Sequence, residues 1–224
     1  VIARPLTLPS SVAVLGADTA GNRDLSTVTA APIAGVGITD ELEVLVPYAF
    51  ALNDLEARGS VAVDVGYVLV RGALDGKLEA IARVRGGYDT LGSAPIPLGV
   101  GIHAQYNIKP WLAVISGVPG SQQLRVTLAD NANTMKPVDV SVPIGVGVQP
   151  TETVYLQLDT KLVQLPLAES ETLVFGRDMT PVALTAVWNI IPALDVQAAI
   201  ATDLNTAADA LALLVGARFY AGRL

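Results

Sequence analysis

From Val182 to Leu204 every second residue is apolar. Val182, Leu184, Ala186, Trp188 and Ile190 fall on one parity, while Ala183, Thr185, Val187 and Asn189 on the other are smaller or more polar. After a break at Ile191-Pro192 the alternation resumes, with Leu194, Val196, Ala198 and Ile200 against Asp195, Gln197, Ala199 and Ala201. A period of two sends successive side chains to opposite faces of a strand. Two such runs joined by a few residues make an antiparallel hairpin. Here the apolar face carries the large residues and the other face is small or charged. That arrangement suits a hairpin with lipid on one side and a crowded or wet interior on the other.

The unit recurs. Ile96 to Ile115 repeats it with a turn at Asn107 to Pro110, and Val138 to Leu162 with a turn at Pro150 to Glu152. Ala30 to Leu52 repeats it with a turn at Thr39-Asp40-Glu41. Further runs of the same parity lie at Ser11–Asp18, Val61–Arg71, Leu78–Tyr88, Leu124–Leu128 and Leu211–Tyr220. The expectation is an all-β, antiparallel up-and-down transmembrane barrel of about twelve strands. Short turns alternate along the chain with longer, more polar loops, as in barrels that cross an outer membrane. Gly117 to Gln123 reads either as a bulge in a long strand or as the tip of an added hairpin. Pro166 to Met179 is the longest connection, and its apolar trio Leu173-Val174-Phe175 could constrict the lumen or pack against the rim. Residues 1–224 form one barrel domain in this reading, with 1–9 as an extended lead-in at its rim.

Composition agrees. Half the residues are hydrophobic (51%) and only 16% are charged, against roughly 25% in ordinary soluble domains. Yet charge, Gly or Pro interrupts every stretch before the roughly 18 apolar residues of a membrane helix accumulate. A greasy chain without a helical span is what a barrel requires, because only alternate residues meet lipid. The absence of cysteine removes disulfides and thiolate metal sites. The net charge of −7 argues against nucleic acid as a partner. No signal peptide is visible at the start, so the numbering is read as beginning at a mature terminus.

The repeated hairpins, the aromatic positions Tyr48, Tyr106, Trp111, Trp188 and Tyr220 near strand ends, and the closing strand LLVGARFYA with Gly216 and Phe219 together resemble the bacterial outer-membrane β-barrel proteins of Gram-negative type, porin-like in kind. The closing strand departs from the usual form because the chain runs on through Gly222-Arg223-Leu224. The resemblance implies a place in the outer membrane, contact with its lipid and lipopolysaccharide, and passage of small solutes or ions. It also implies a belt of interface aromatics, for which Tyr48, Tyr106, Trp111, Trp188 and Phe219 are the candidates.

Charged and polar residues of inward parity are the candidate pore lining: Asp64, Glu79, Arg83, Arg85, His103, Gln105, Asp139, Asp159, Lys161, Asp195 and Arg218, with Glu43, Asp203 and Arg125 on the same parity. Arg or Lys facing hydrocarbon at the midplane costs roughly 2–4 kcal/mol, so this placement marks the inside. Such charges either pair across the lumen and plug it or line a narrow water path with a mild acid excess. The many inward Gly, Ala and Ser residues favour the path. The pairs Gly35/Gly37, Gly99/Gly101 and Gly145/Gly147 do not continue as GxGxxG into a helix, which rejects a dinucleotide loop. They are read as clearing space on the lumen face or letting the sheet curve. His103, the only histidine, has no legible serine partner, so a lipid-acting enzyme is not supported. No metal or cofactor site is suggested. The expected function is a narrow passive channel for small hydrophilic solutes or ions. The alternative is a closed barrel that anchors or docks within an envelope assembly.

Overall fold

The computed structural model describes residues 6–23, 25–26, 28–53, 59–89, 94–116, 124–126, 138–166, 181–204 and 211–222, and the side chains of all these except 89, 94–97, 124–126, 138–141, 161–166 and 181. Its strands are β1 (Ala13–Asn22), β2 (Val28–Gly37), β3 (Leu42–Ala51), β4 (Ser60–Gly72), β5 (Leu78–Asp89), β6 (Ala94–Lys109), β7 in two pieces (Leu112–Ser116 and Leu124–Val126), β8 (Val138–Val148), β9 (Val154–Pro166), β10 (Pro181–Ile191), β11 (Leu194–Asp203) and β12 (Ala212–Ala221). Each pairs antiparallel with the next. Strand β12 then pairs with β1 from Ala13↔Ala221 to Asn22↔Ala212, and the sheet closes. The result is a twelve-stranded barrel without an open edge, the form in which strands can cross a bilayer with every ladder bond made.

The two pieces of β7 are one strand. Ser116 sits opposite Ala104 and Leu124 opposite Val100 on the same neighbour, β6. Both pieces also pair with β8. The strand is thus described on either side of residues 117–123 and runs in the same direction in both pieces. Those residues lie outside the described ones, as do 167–180 with the Leu173-Val174-Phe175 trio.

Parity sorts the two faces. On the outside, Val36, Val44, Val65, Val84 and Val100 stand side by side across β2 to β6. On the far wall Leu158, Leu184, Ile200 and Leu213 do the same across β9 to β12. The second row is exposed throughout, from 42% at Ile200 to 52% at Leu158. Continuous apolar rows of this kind are stable against hydrocarbon and a liability in water. Tyr48, Tyr106, Trp111, Trp188 and Phe219 are all exposed on the outer side, with Trp111 beside Lys109, whose ammonium lies 5.4 Å from the ring centroid. Tyr220 differs: it faces inward and packs with Leu8, Val12 and Val14.

One end of the barrel carries the short connections 38–41, 73–77, 110–111, 149–153 and 192–193. Two turns differ from those read in the sequence, the first being tighter and the second displaced by one residue. Asn107 still pairs with Ala113 and Lys109 with Leu112, so the turn after β6 is Pro110-Trp111 alone. Ile191 pairs with Leu194, leaving Pro192-Ala193. Strand β1 begins at Ala13 because Ser11 has φ 64, which breaks extended backbone there.

Candidate functional site: the inner wall of the barrel

The register explains how charges are accommodated inside. Across the wall from β2 to β6 the inward residues at one level are Gly37, Glu43, Gly66, Arg83 and Gly101. Glycine and charge alternate. Gly66 stands in register between Arg83 and Glu43, and the two form an ion pair across it. The other guanidinium nitrogen, Nη1, donates to Asp64 Oδ1 at 2.9 Å. All three side chains are almost fully enclosed, Arg83 at 8%, Glu43 at 3% and Asp64 at 6% exposure. A Cβ on Gly66 would stand 3.0 Å from Glu43 Oε1 and 3.1 Å from Glu43 Cγ, so a side chain there would press the carboxylate out of its place by a few tenths of an ångström. Arg85 sits opposite Asp64 in the next level.

The same device closes the barrel. Asp18 on β1 faces Gly216 on β12, and Gly16 faces Arg218. Arg218 crosses over Gly16, whose added Cβ would lie 2.7 Å from Arg218 Cδ. It holds Asp18 by both nitrogens, Nη1 to Oδ1 at 2.8 Å and Nη2 to Oδ2 at 2.5 Å. Gln197 Nε2 donates to the same carboxylate at 2.7 Å. This fork-to-fork pair ties the first strand to the last and is the strong form of a charged hydrogen bond.

On the opposite wall a ladder climbs β9. Tyr155 Oη donates to Gln157 Oε1, and Gln157 Nε2 to Asp159 Oδ1, each at 2.6 Å. Among the described residues no cation contacts Asp159. Asp195, buried on β11, accepts from Asn189 Nδ2 at 2.7 Å. Gln105 donates to Asn107 at 2.9 Å on β6. Glu79 lies at the short-turn rim, 3.8 Å from Arg71. Asp203 is buried toward the long-loop end of β11. His103 is buried on β6 opposite Ile81, and its Nδ1 has no hydrogen-bond partner among the described residues; a base poised on a serine would have one. The side chains of Asp139, Lys161 and Arg125 lie outside the described residues. No group of three or more metal-ligating side chains gathers among the described residues.

The glycines therefore do something finer than clear the lumen. At Gly16, Gly66, Gly145 and Gly216 the space is taken by a charged neighbour lying against the wall. Sequence reading also missed Asp18, which carries the barrel seam. Its signal was the recurrence of a glycine two residues away on the same face, at Gly16.

The described part of the lead-in is the larger surprise. Thr7, Leu8 and Val12 are buried at 2%, 9% and 0% exposure. The Leu8 N–H donates to Glu43 Oε2 at 2.8 Å, so one carboxylate holds both Arg83 and the N-terminal segment. The Ser10 N–H donates to Asp40 Oδ1 at 3.0 Å, and Arg71 Nη2 donates to Thr7 Oγ1 at 3.0 Å and to the Asp40 carbonyl at 2.7 Å. In the turn outside the strands, these Ser10 bonds, helped by Arg71, hold the Asp40 carboxyl below the usual carboxylate range.

No protein-family model and no curated protein matches the chain. Solved structures do. The KdgM porin, in complex with disordered oligogalacturonate, superposes with a TM-score of 0.66 at 5% identity, over 92% of this chain and 98% of that one. The NanC porin gives 0.60 at 10% identity over 92% and 98%. An outer-membrane channel of Pseudomonas putida F1 gives 0.53 at 12% identity over 96% and 97%. At such identities the likeness is one of backbone, and what it establishes is that this chain has the closed β-barrel fold of bacterial outer-membrane porins.

Proposed function

We propose that the protein is a passive channel of the bacterial outer membrane, surrounded by lipid and lipopolysaccharide, that passes small hydrophilic solutes and ions with a preference for cations. The observation that carries this is the charge inside a barrel whose outside is apolar. Among the described residues, Asp18, Glu43, Asp64, Glu79, Asp159, Asp195 and Asp203 face inward or line the rim against Arg71, Arg83, Arg85 and Arg218. A low-dielectric wall focuses such an excess on the solute path. The pore lining comprises these residues with His103, Gln105 and, by parity, Asp139 and Lys161. Oligogalacturonate, found with KdgM, is an anionic sugar chain; the acid excess here favours neutral or cationic solutes instead.

The test is single-channel recording in a planar bilayer under a salt gradient. Steady openings with a reversal potential on the cation side are expected, and Asp159→Asn should move that potential toward zero. Silence both from this protein, folded by heat-modifiable gel migration, and from a folded form lacking residues 1–10 would reject the channel and leave the closed, docking barrel. Unchanged lipid after incubation with the protein is the expected result.

A further inference from the structure

The N-terminal segment is built into the short-turn mouth. Read backward from β1, it turns at residues 9–12, where the Val12 N–H meets the Pro9 carbonyl at 3.1 Å and Ser11 adopts φ 64. It then runs alongside β2, with a parallel bridge at Ser10↔Gly37, the Ser11 N–H on the Gly37 carbonyl at 3.0 Å and the Gly37 N–H on the Val12 carbonyl at 2.9 Å. Leu8 reaches Glu43 on β3, and Thr7 reaches Arg71 on β4. Residues 7–12 thus cross the ends of β1 to β4 on the inner side. Leu8 and Val12 pack there on Val14, Leu45 and Tyr220.

Two features distinguish this from a frayed end resting on a rim. The segment is held at successive points by groups that belong to different strands, and its central anchor is a charged side chain with a second task. Glu43 gives Oε2 to the Leu8 N–H and Oε1 to Arg83. Arg83 in turn holds Asp64, farther along the wall. We propose that residues 7–12 form a strap that narrows the short-turn mouth of the channel, and that Glu43 is the positioning residue that holds the strap closed.

The proposal rests on the channel reading, and its test separates the two. Glu43→Ala removes the acceptor of the Leu8 N–H and turns the net-negative triad into a balanced pair of Arg83 with Asp64, a change of charge that Glu43→Gln shares. Glu43→Gln retains an oxygen for the Leu8 N–H and should behave as a rescue. The chain has no cysteine, so Val12→Cys supplies a single thiol in a fully buried strap position. Expected are slow labelling of Val12→Cys by an impermeant maleimide, faster labelling when Glu43→Ala is added, and slow labelling again with Glu43→Gln. Single-channel conductance should rise in Glu43→Ala and in a form lacking residues 1–10, and stay at the parent level in Glu43→Gln. A silent parent with a conducting 1–10 deletion would mean the strap shuts the mouth, which supports the proposal. Parent and folded deletion conducting equally would overturn the strap and leave the channel. Equal labelling of Val12→Cys with and without Glu43→Ala would overturn the role of Glu43. Silence from both folded proteins would overturn the channel, and the strap as its gate with it.

Discussion

Replacing Arg83 with Met tests the inner wall at its most loaded point. Arg83 is the cation between Glu43 and Asp64, and all three side chains are under a tenth exposed. Taking away one partner of a buried ionic group costs about 3–5 kcal/mol, because the remaining charge keeps its desolvation penalty and loses its compensation. Here two carboxylates are stranded together, so the upper half of that range is expected. With a denaturant slope of about 3 kcal/mol/M, the urea midpoint of Arg83→Met should fall by roughly 1.3–1.7 M. Exposed pairs contribute only about 0–1 kcal/mol, which makes the two cases easy to tell apart. The assay is urea unfolding in lipid vesicles followed by heat-modifiable migration. The triple variant Glu43→Gln, Asp64→Asn, Arg83→Met removes charge and counter-charge together, and it should recover most of the loss, since a neutral replacement of a buried ionic cluster is often tolerated. An Arg83→Met midpoint within about 0.3 M of the parent would mean that water reaches the cluster freely, and the argument from burial would fail.

Three further outcomes follow from the same geometry. Gly216→Ala sets a methyl against the Asp18 carboxylate and the Ala17 carbonyl, so this seam variant should lose about 1–3 kcal/mol to overpacking in the same unfolding assay. Leu184→Arg places a cation among the outward row of β9 to β12 and should cost about 2–4 kcal/mol, whereas Thr185→Arg, one residue on and facing inward, should cost clearly less; equal losses would refute the assignment of faces. The Asp40 carboxyl is held low by the Ser10 bonds, so its anchoring of the strap is complete above the ordinary carboxylate range and is lost as pH falls through the lowered value. Relative to a free thiol at the same pH, whose own reaction slows as thiolate is lost, maleimide labelling of Val12→Cys should rise on acidification, and Asp40→Ala, which removes the acceptor of the Ser10 N–H, should label fast at neutral pH already.

The barrel was legible because the requirement that writes it is local. A strand with lipid on one side must alternate, and Val61, Val63, Val65, Tyr67 and Leu69 announce their face one residue at a time. The inner wall answers to a different rule. Arg83 finds Glu43 forty positions away because Gly66 lies between them in register, and no period in the sequence records that alignment. Register across twelve strands is set by bulges such as those at Val68/Val70 and Asn189/Ile191, whose positions the alternation alone does not predict. Tyr220 illustrates the same limit: as an aromatic near a strand end it reads as an interface residue, yet its parity places it inward, beneath the strap. The strap was missed because Pro5 and Pro9 mark the lead-in as irregular, and irregular backbone carries no periodicity from which burial could be read.

The way charges lie on this wall changes what their number means for transport. Arg218 with Asp18, and Arg83 with Glu43 and Asp64, lie along the hoop of the barrel, Arg218 across Gly16 and Glu43 against Gly66. Pairs of this kind present little net field to a passing ion, however many residues they involve. Selectivity then falls to acids outside the pairs, of which Asp159 is the clearest: it receives a neutral donor, Gln157, and contacts no cation among the described residues. Neutralising Asp64 instead would leave Arg83 with Glu43 alone and turn a net-negative triad into a balanced pair, altering the buried wall more than the path. Asp159→Asn should therefore shift the reversal potential further than Asp64→Asn, while Asp64→Asn should shift the unfolding midpoint further than Asp159→Asn. If both variants changed both quantities equally, the division of this lumen into structural pairs and a conducting remainder would be wrong.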